Sequence, residues 1–202
     1  MAKIVDKDIK KLRIVEASIK VVAKKGFKNT KIADIAKAAN MAKGTIYIYF
    51  KSKEEILSAS LQHIIDKYEK TAGESIAHIS DPGKKMRTFF DVWVKVFDDE
   101  FEDSIEFLLD FWAEGLHGRI FSHTNKMWEI HKGFRFKIRE QLEKCIDDEN
   151  LKTIDPTLLS TIIIGAADGI LLQWIIAEKS FDLKKAYQVF GDIIVKKIFS
   201  KN

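Results

Sequence analysis

Apolar residues recur at spacings of three and four along the chain and almost nowhere alternate, a pattern that predicts an all-α protein. From Asp8 to Lys25, Ile9, Leu12, Val15, Ile19, Val22 and Ala23 form one helical stripe, which Gly26 ends because glycine takes the left-handed conformation after a helix. A second, short helix is predicted from Thr30, its hydroxyl acting as cap, with Asp34 in the first turns and Ile32, Ile35, Ala36 and Ala39 inward. Asn40 tolerates the left-handed turn, and a third helix follows from Ala42 to about Tyr49. Ser52 and Glu55 form a capping box ahead of Ile56, Leu57, Leu61, Ile64, Ile65 and Tyr68, the mark of a longer helix.

Further on, Asp81-Pro82 opens a helix over 83–98 with Met86, Phe89, Phe90, Trp93 and Phe97 in register. Ser104 caps another, carrying Phe107, Leu108, Phe111 and Trp112, and the segment Gly115 to Gly118 interrupts it. One long helix is predicted over 123–147, another from Asp155-Pro156, and a last one over 183–199 behind Asp182. The stretch Leu158 to Ala177 carries Asp168 as its one charge up to Ile176 and approaches the length of a membrane span. A central Asp costs ~2.5–3.5 kcal/mol on insertion scales, and Gln173, Gly165 and Gly169 add no compensating hydrophobicity, so a helix buried all round is expected instead and no membrane partner. The last helix is apolar over more than half its circumference. Two such helices meeting their symmetry mates predict a four-helix homodimer interface at Gly165, Gly169, Tyr187, Phe190, Ile194 and Ile198.

Charge divides the chain where hydropathy does not. Residues 1–53 hold 14 basic and 4 acidic side chains, a net of +10, whereas 54–202 hold 20 and 26, a net of −6. That asymmetry marks an N-terminal module for a polyanion, and it sets the expected domains at 1–53 and 54–202. The chain has 202 residues, 46% apolar and 32% charged, with two prolines, which excludes collagen-like, mucin-like and disordered classes. A single cysteine, Cys145, excludes an internal disulfide and a Cys-based zinc cluster and favours the reducing cytosol. Charges interrupt every apolar run in the first dozen residues, so no secretion signal is expected.

Within the basic segment, a helix begun at Ala42 places 42, 46, 49 and 50 on one side and Lys43 and Tyr47 on another. Ile46 and Phe50 then anchor the helix, which leaves Lys43, Gly44, Thr45 and Tyr47 available to a polyanion such as DNA. Gly44 lets backbone approach phosphate, and Thr45 offers a hydroxyl and a methyl to a base edge or a thymine methyl. Lys43 reaches guanine or phosphate; Tyr47 and Tyr49 serve as phosphate donors or as core, and Lys53 clamps the backbone. Gly26-Phe27, Thr30, Ile32, Ile35-Ala36, Ala38-Ala39, Met41, Lys43 to Tyr47, Tyr49-Phe50 and Lys53 to Glu55 together resemble the N-terminal DNA-binding domain of TetR/AcrR transcriptional regulators. The resemblance covers residues 8–57 in unbroken register, with Asn40, Lys31 and Ala42 standing where the family usually has Gly, Thr and Ser. It implies DNA contacts at Thr30, Lys31, Lys43, Gly44, Thr45, Tyr47, Tyr49 and Lys53, an operator as partner, and a C-terminal domain that binds an effector and alters the spacing of two reading heads.

Between Phe89 and Phe136, 12 of 48 residues are Phe or Trp, which serves either a large helical core or a cavity for an apolar effector such as an acyl compound, an aromatic or a lipophilic drug. The candidate lining is Phe89, Trp93, Phe97, Phe107, Phe111 and Trp128, with His131 and Asp168 as polar contacts. Catalysis is not expected. Glu114-x-x-His117 is a lone copy of a spacing that di-iron bundles use twice, and neither a Gly-x-Ser-x-Gly elbow nor a Gly-rich phosphate loop occurs. No metal or cofactor is called for. The expectation is a ligand-responsive repressor, with a non-sensing architectural DNA binder or an activator as alternatives.

Overall fold

Gly26, at φ +76°, ends α1 (Ala2–Lys25), and Asn40, at φ 55°, makes the turn between α2 (Ile32–Ala38) and α3 (Lys43–Tyr49). These are the two backbone positions that the sequence marked for the left-handed region. The computed structural model describes the backbone of residues 2–95, 103, 105, 107–110, 121–143 and 155–199, and every regular element among them is helical. The protein is all-α, an N-terminal helix-turn-helix domain followed by a helical C-terminal domain. By compactness the described residues fall into two units, one from 1–67 and 97–127, the other from 68–96 and 128–202.

In the first unit, α1 packs on α2 and α2 on α3. Ile14 and Val22 of α1, Ile35 and Ala36 of α2, Ile46 and Phe50 at α3, and Ile56, Leu57 and Leu61 of α4 (Lys53–Ile76) are buried. Ser18 and Ser60 hydroxyls are buried too. They hydrogen-bond each other and the Val15 and Ile56 carbonyl oxygens of their own helices, which removes the cost of burying them. Half of the expected capping box at α4 forms: Ser52 Oγ accepts from Glu55 N–H at 3.2 Å, whereas the Glu55 carboxylate accepts from Lys51 N–H, one residue ahead of the cap, at 2.6 Å.

Two local expectations are corrected here. α1 begins at Ala2 rather than near Asp8, because the charged residues that interrupt its apolar stripe are good helix formers on a solvated face. Thr30 does not cap α2. Its Oγ1 donates to Gly26 O at 2.8 Å, and the helix starts two residues later, where Asp34 accepts from Lys31 N–H at 3.0 Å. The side-chain hydrogen bond from Lys25, at 2.8 Å, followed by that backbone bond, holds the Asp34 carboxyl below its ordinary range.

The second unit is built from α5 (Pro82–Lys95), α6 (Phe121–Glu143) from residue 128 onward, α7 (Pro156–Ile176) and α8 (Leu183–Ile194). Asp81, Asp155 and Asp182 accept backbone N–H groups at 2.6, 2.8 and 2.9 Å, so each predicted acidic cap is made. Met86, Phe90, Ile138, Leu142 and Ile163 form one core cluster; Tyr68, Ala72, Val92 and Phe134 form another. Gly191 of α8 meets α5 closely, since a Cβ there would stand 3.3 Å from Phe90. The last helix does not continue as α to Phe199; it widens into a π turn over Val195–Phe199.

α7 also departs from expectation, because it is not buried all round. Ser160, Ile163, Ala167 and Leu171 face the core, whereas Leu158, Ile162, Leu172 and Ile176 are exposed. By length and composition it is apolar enough to cross a membrane, yet one of its faces is committed to a protein core.

Candidate nucleic-acid interface

α3 is seven residues long, and two side chains hold it down. Ile46 is 0% exposed and Phe50, which follows its last turn, 2%. The outward side carries Lys43, Gly44 and Tyr47, with Thr45 and Tyr49 half-buried at its edges; Ile46 and Phe50 are the anchors that helical register gave, whereas Ala42, expected on their side, is exposed. A Cβ on Gly44 would meet nothing within 4 Å. Internal packing therefore gives no reason for a glycine there. Ile48, 73% exposed, stands out on the same helix and escaped the sequence reading. Its signal was the four-residue spacing from Gly44, which puts an apolar side chain where only a thymine methyl or another apolar surface would use it.

The remaining proposed DNA contacts are differently placed. Lys31 is exposed, but Thr30 is buried, its hydroxyl engaged by Gly26. Lys53 does not stand free for phosphate. Its Nζ donates to Phe27 O at 2.9 Å and Thr30 O at 3.1 Å and lies 4.2 Å from the Phe27 ring centroid.

Of the proposed effector contacts, Phe107 is buried in the first unit. In the second, Phe89 packs edge-on against Tyr68, Phe90 and Phe134 at 5.9, 6.2 and 6.5 Å between ring centroids, the arrangement that aromatic quadrupoles favour. Partial burial of Asp168 on α7 raises its carboxyl from 3.8 to about 6. Phe97 and Phe111 lie outside the described residues, as do the side chains of Trp93, Trp128, His131 and Ile198; Glu114, His117 and Cys145 do so as well. Among the described residues no cluster of His, Cys, Asp or Glu has the makings of a metal site.

The residues proposed for chain pairing separate into two groups. Gly165 and Gly169 have open space where a Cβ would stand. Tyr187 is instead fully buried in its own chain, its hydroxyl donating to Ala167 O at 2.8 Å, and Phe190 packs on Phe90 at 5.2 Å. Ile194 sits half-buried on the same core. Counting apolar residues around the last helix did not distinguish its inner side from its outer one. On these two helices the large apolar side chains left exposed are Val189 and Ile193 of α8 and Leu158, Ile162, Leu172 and Ile176 of α7.

Comparison with known proteins follows this geometry. The profile of bacterial regulatory proteins of the tetR family matches residues 14–60, and that of the C-terminal region of MAATS-type transcriptional repressors matches 117–199. The fatty acid metabolism regulator protein of Bacillus subtilis is 25% identical over 193 residues, covering 95% of this chain and 97% of its own. Among solved structures, FadR from Bacillus subtilis in complex with stearoyl-CoA superposes with a TM-score of 0.79 at 24% identity, covering 93% of this chain and 98% of its own. A transcriptional regulator from Saccharomonospora viridis in complex with choline does so at 0.74 and 20%, covering 95% and 98%.

Proposed function

The chain belongs to the TetR family of transcriptional regulators, and on that premise we propose that it is a ligand-responsive repressor, a homodimer that binds a pseudo-palindromic operator and leaves it when a small apolar effector binds. The observation that carries the DNA half is α3: two buried anchors beneath an outward Lys43, open Gly44, Tyr47 and Ile48. Residues 1–53 act as the reading head and 54–202 as the effector and pairing domain. One helix of seven residues makes few base contacts, whereas a two-fold dimer doubles them and fixes half-sites about one turn, ~34–36 Å, or a multiple apart. The exposed apolar faces of α7 and α8 supply the pairing surface. Lys31, Lys43, Thr45, Tyr47 and Tyr49 contact DNA; Thr30 and Lys53 support the head from inside.

For the effector, a long-chain acyl thioester is the first choice, supported by the name of the Bacillus subtilis relative and by the ligand of the similar solved structure. A quaternary ammonium is the second reading, favoured by the aromatic concentration over 89–136 and by the choline-bound neighbour. Either acts by population shift, binding best to dimers whose α3 helices no longer fit successive grooves. A DNA target goes with a cytoplasmic protein, and that is the location this reading assigns.

Fluorescence anisotropy with duplexes from the region upstream of the protein's own gene tests this. Affinity is expected to fall steeply with salt, each neutralised phosphate contributing about −0.9 to the log–log slope, and stearoyl-CoA to release the duplex. Flat salt dependence refutes the DNA reading. Release by choline alone selects the second effector class, and release by neither favours the architectural alternative.

A further inference from the structure

The turn between α1 and α2 is fastened from two sides by ions of opposite sign. Phe27 N–H donates to Asp110 Oδ2 at 2.5 Å, across 83 positions of sequence. Phe27 O accepts from Lys53 Nζ at 2.9 Å, and the same ammonium reaches Thr30 O at 3.1 Å. A carboxylate on the N–H and an ammonium on the C=O of one residue each match the polarity of the group they hold, which makes both charge-assisted hydrogen bonds. Gly26 permits the approach: a Cβ there would stand 3.2 Å from Asp110 Oδ2 and would have to sit at φ +76°. The helical segment 107–110 that carries Asp110 belongs to the same compact unit as the reading head, although the sequence assigns it to the C-terminal domain.

We propose that Asp110 is a positioning residue for DNA reading. The turn 26–30 sets how α2 leaves α1, and α3 is carried on α2, so the direction of the reading helix depends on where this turn is held. Lys53 ties the turn to the start of α4, and Asp110 ties it to the helical segment 107–110 of the same compact unit. Without the carboxylate, the head samples orientations that do not fit the groove, and DNA binding must order it first. The inference rests on the DNA-binding reading above and adds to it a residue far from the DNA.

The test uses the full-length protein, duplex anisotropy at low ionic strength, and amide hydrogen exchange. In the wild type the Phe27 amide should exchange at least about a hundredfold more slowly than in an unstructured peptide. Asp110→Ala should remove that protection and weaken duplex binding about tenfold, the equilibrium equivalent of one charge-assisted hydrogen bond. Asp110→Asn, whose side-chain oxygen still accepts from N–H but without the charge, should lose only about threefold. Arg87→Ala removes an ion pair to Asp192 in the other unit and should leave duplex affinity unchanged. An unprotected Phe27 amide in the wild type overturns the proposal without any variant. Wild-type affinity in Asp110→Ala overturns it as well, and so does equal loss in Asp110→Asn or Arg87→Ala. Failure of the wild type to bind any duplex refutes the DNA reading instead, and the exchange measurement still decides whether the tether exists.

Discussion

α3 and α7 both leave large side chains in solvent, and they do so in opposite ways. α3 has seven residues, sinks Ile46 and Phe50, and presents Lys43, Gly44 and Tyr47 with the single aliphatic Ile48. α7 has twenty-one, sinks Ser160, Ile163, Ala167 and Leu171, and presents Leu158, Ile162, Leu172 and Ile176. A mixed cationic, aromatic and small surface suits a polyanion whose grooves offer phosphates and a few methyl groups. A surface of aliphatic side chains at helical spacing suits only another apolar surface. Exposure alone did not separate the two; the chemistry of what is exposed did.

The comparison breaks most visibly if the outer faces of α7 and its neighbour α8 are made to resemble α3. Ile162→Lys with Ile193→Lys should leave each chain folded, since both side chains are more than half exposed. Pairing would bury unpaired charges, at ~4 kcal/mol or more, so the variant should sediment as a monomer at micromolar concentration and bind the duplex about a thousandfold more weakly. A dimer that persists would move the pairing surface elsewhere.

Asp168 sharpens the contrast on the same helix. With its carboxyl raised from 3.8 to about 6, the folded chain holds the proton more tightly than the unfolded one. Its contribution therefore favours the fold fully below about pH 4 and is lost as pH rises through about 6, ~2–3 kcal/mol in all. Asp168→Asn should raise the urea midpoint at pH 8 and flatten its change between pH 4 and 7. An unchanged profile would place the titration on another group.

On α3 the effects are smaller and specific. Thr45→Ala should relax preference at one base position by ~1–3 kcal/mol in a competition series against single-base variants of the site. Lys43→Ala should weaken every sequence alike and reduce the salt slope by about 1. Uniform loss in both variants would show that α3 holds phosphate without reading bases.

Much of this was legible in the sequence, because local signals fixed it. Gly26 and Asn40 turn where only a left-handed residue is tolerated, and Asp81, Asp155 and Asp182 cap where an acid precedes an apolar run. Ile46 and Phe50 as anchors follow from the helical period. Thr30 and Lys53 were misplaced because each has two uses, and the choice between them depends on carbonyl groups brought close by the turn at Gly26. Tyr187 was assigned outward because a helix apolar over more than half its circumference does not reveal which half its own chain covers. Asp110 gave no signal at all, its partner lying 83 residues away.

The sequence by itself determined the helices, their caps and turns, the charged head and the side of α3 that faces outward, since each depends on neighbours within one or two helical turns. Only the tertiary structure decided which apolar faces of α7 and α8 remain open, where Lys53 and Thr30 hold, and that Asp110 grips Phe27. Those outcomes depend on which distant surfaces meet, and helical periodicity carries no record of that.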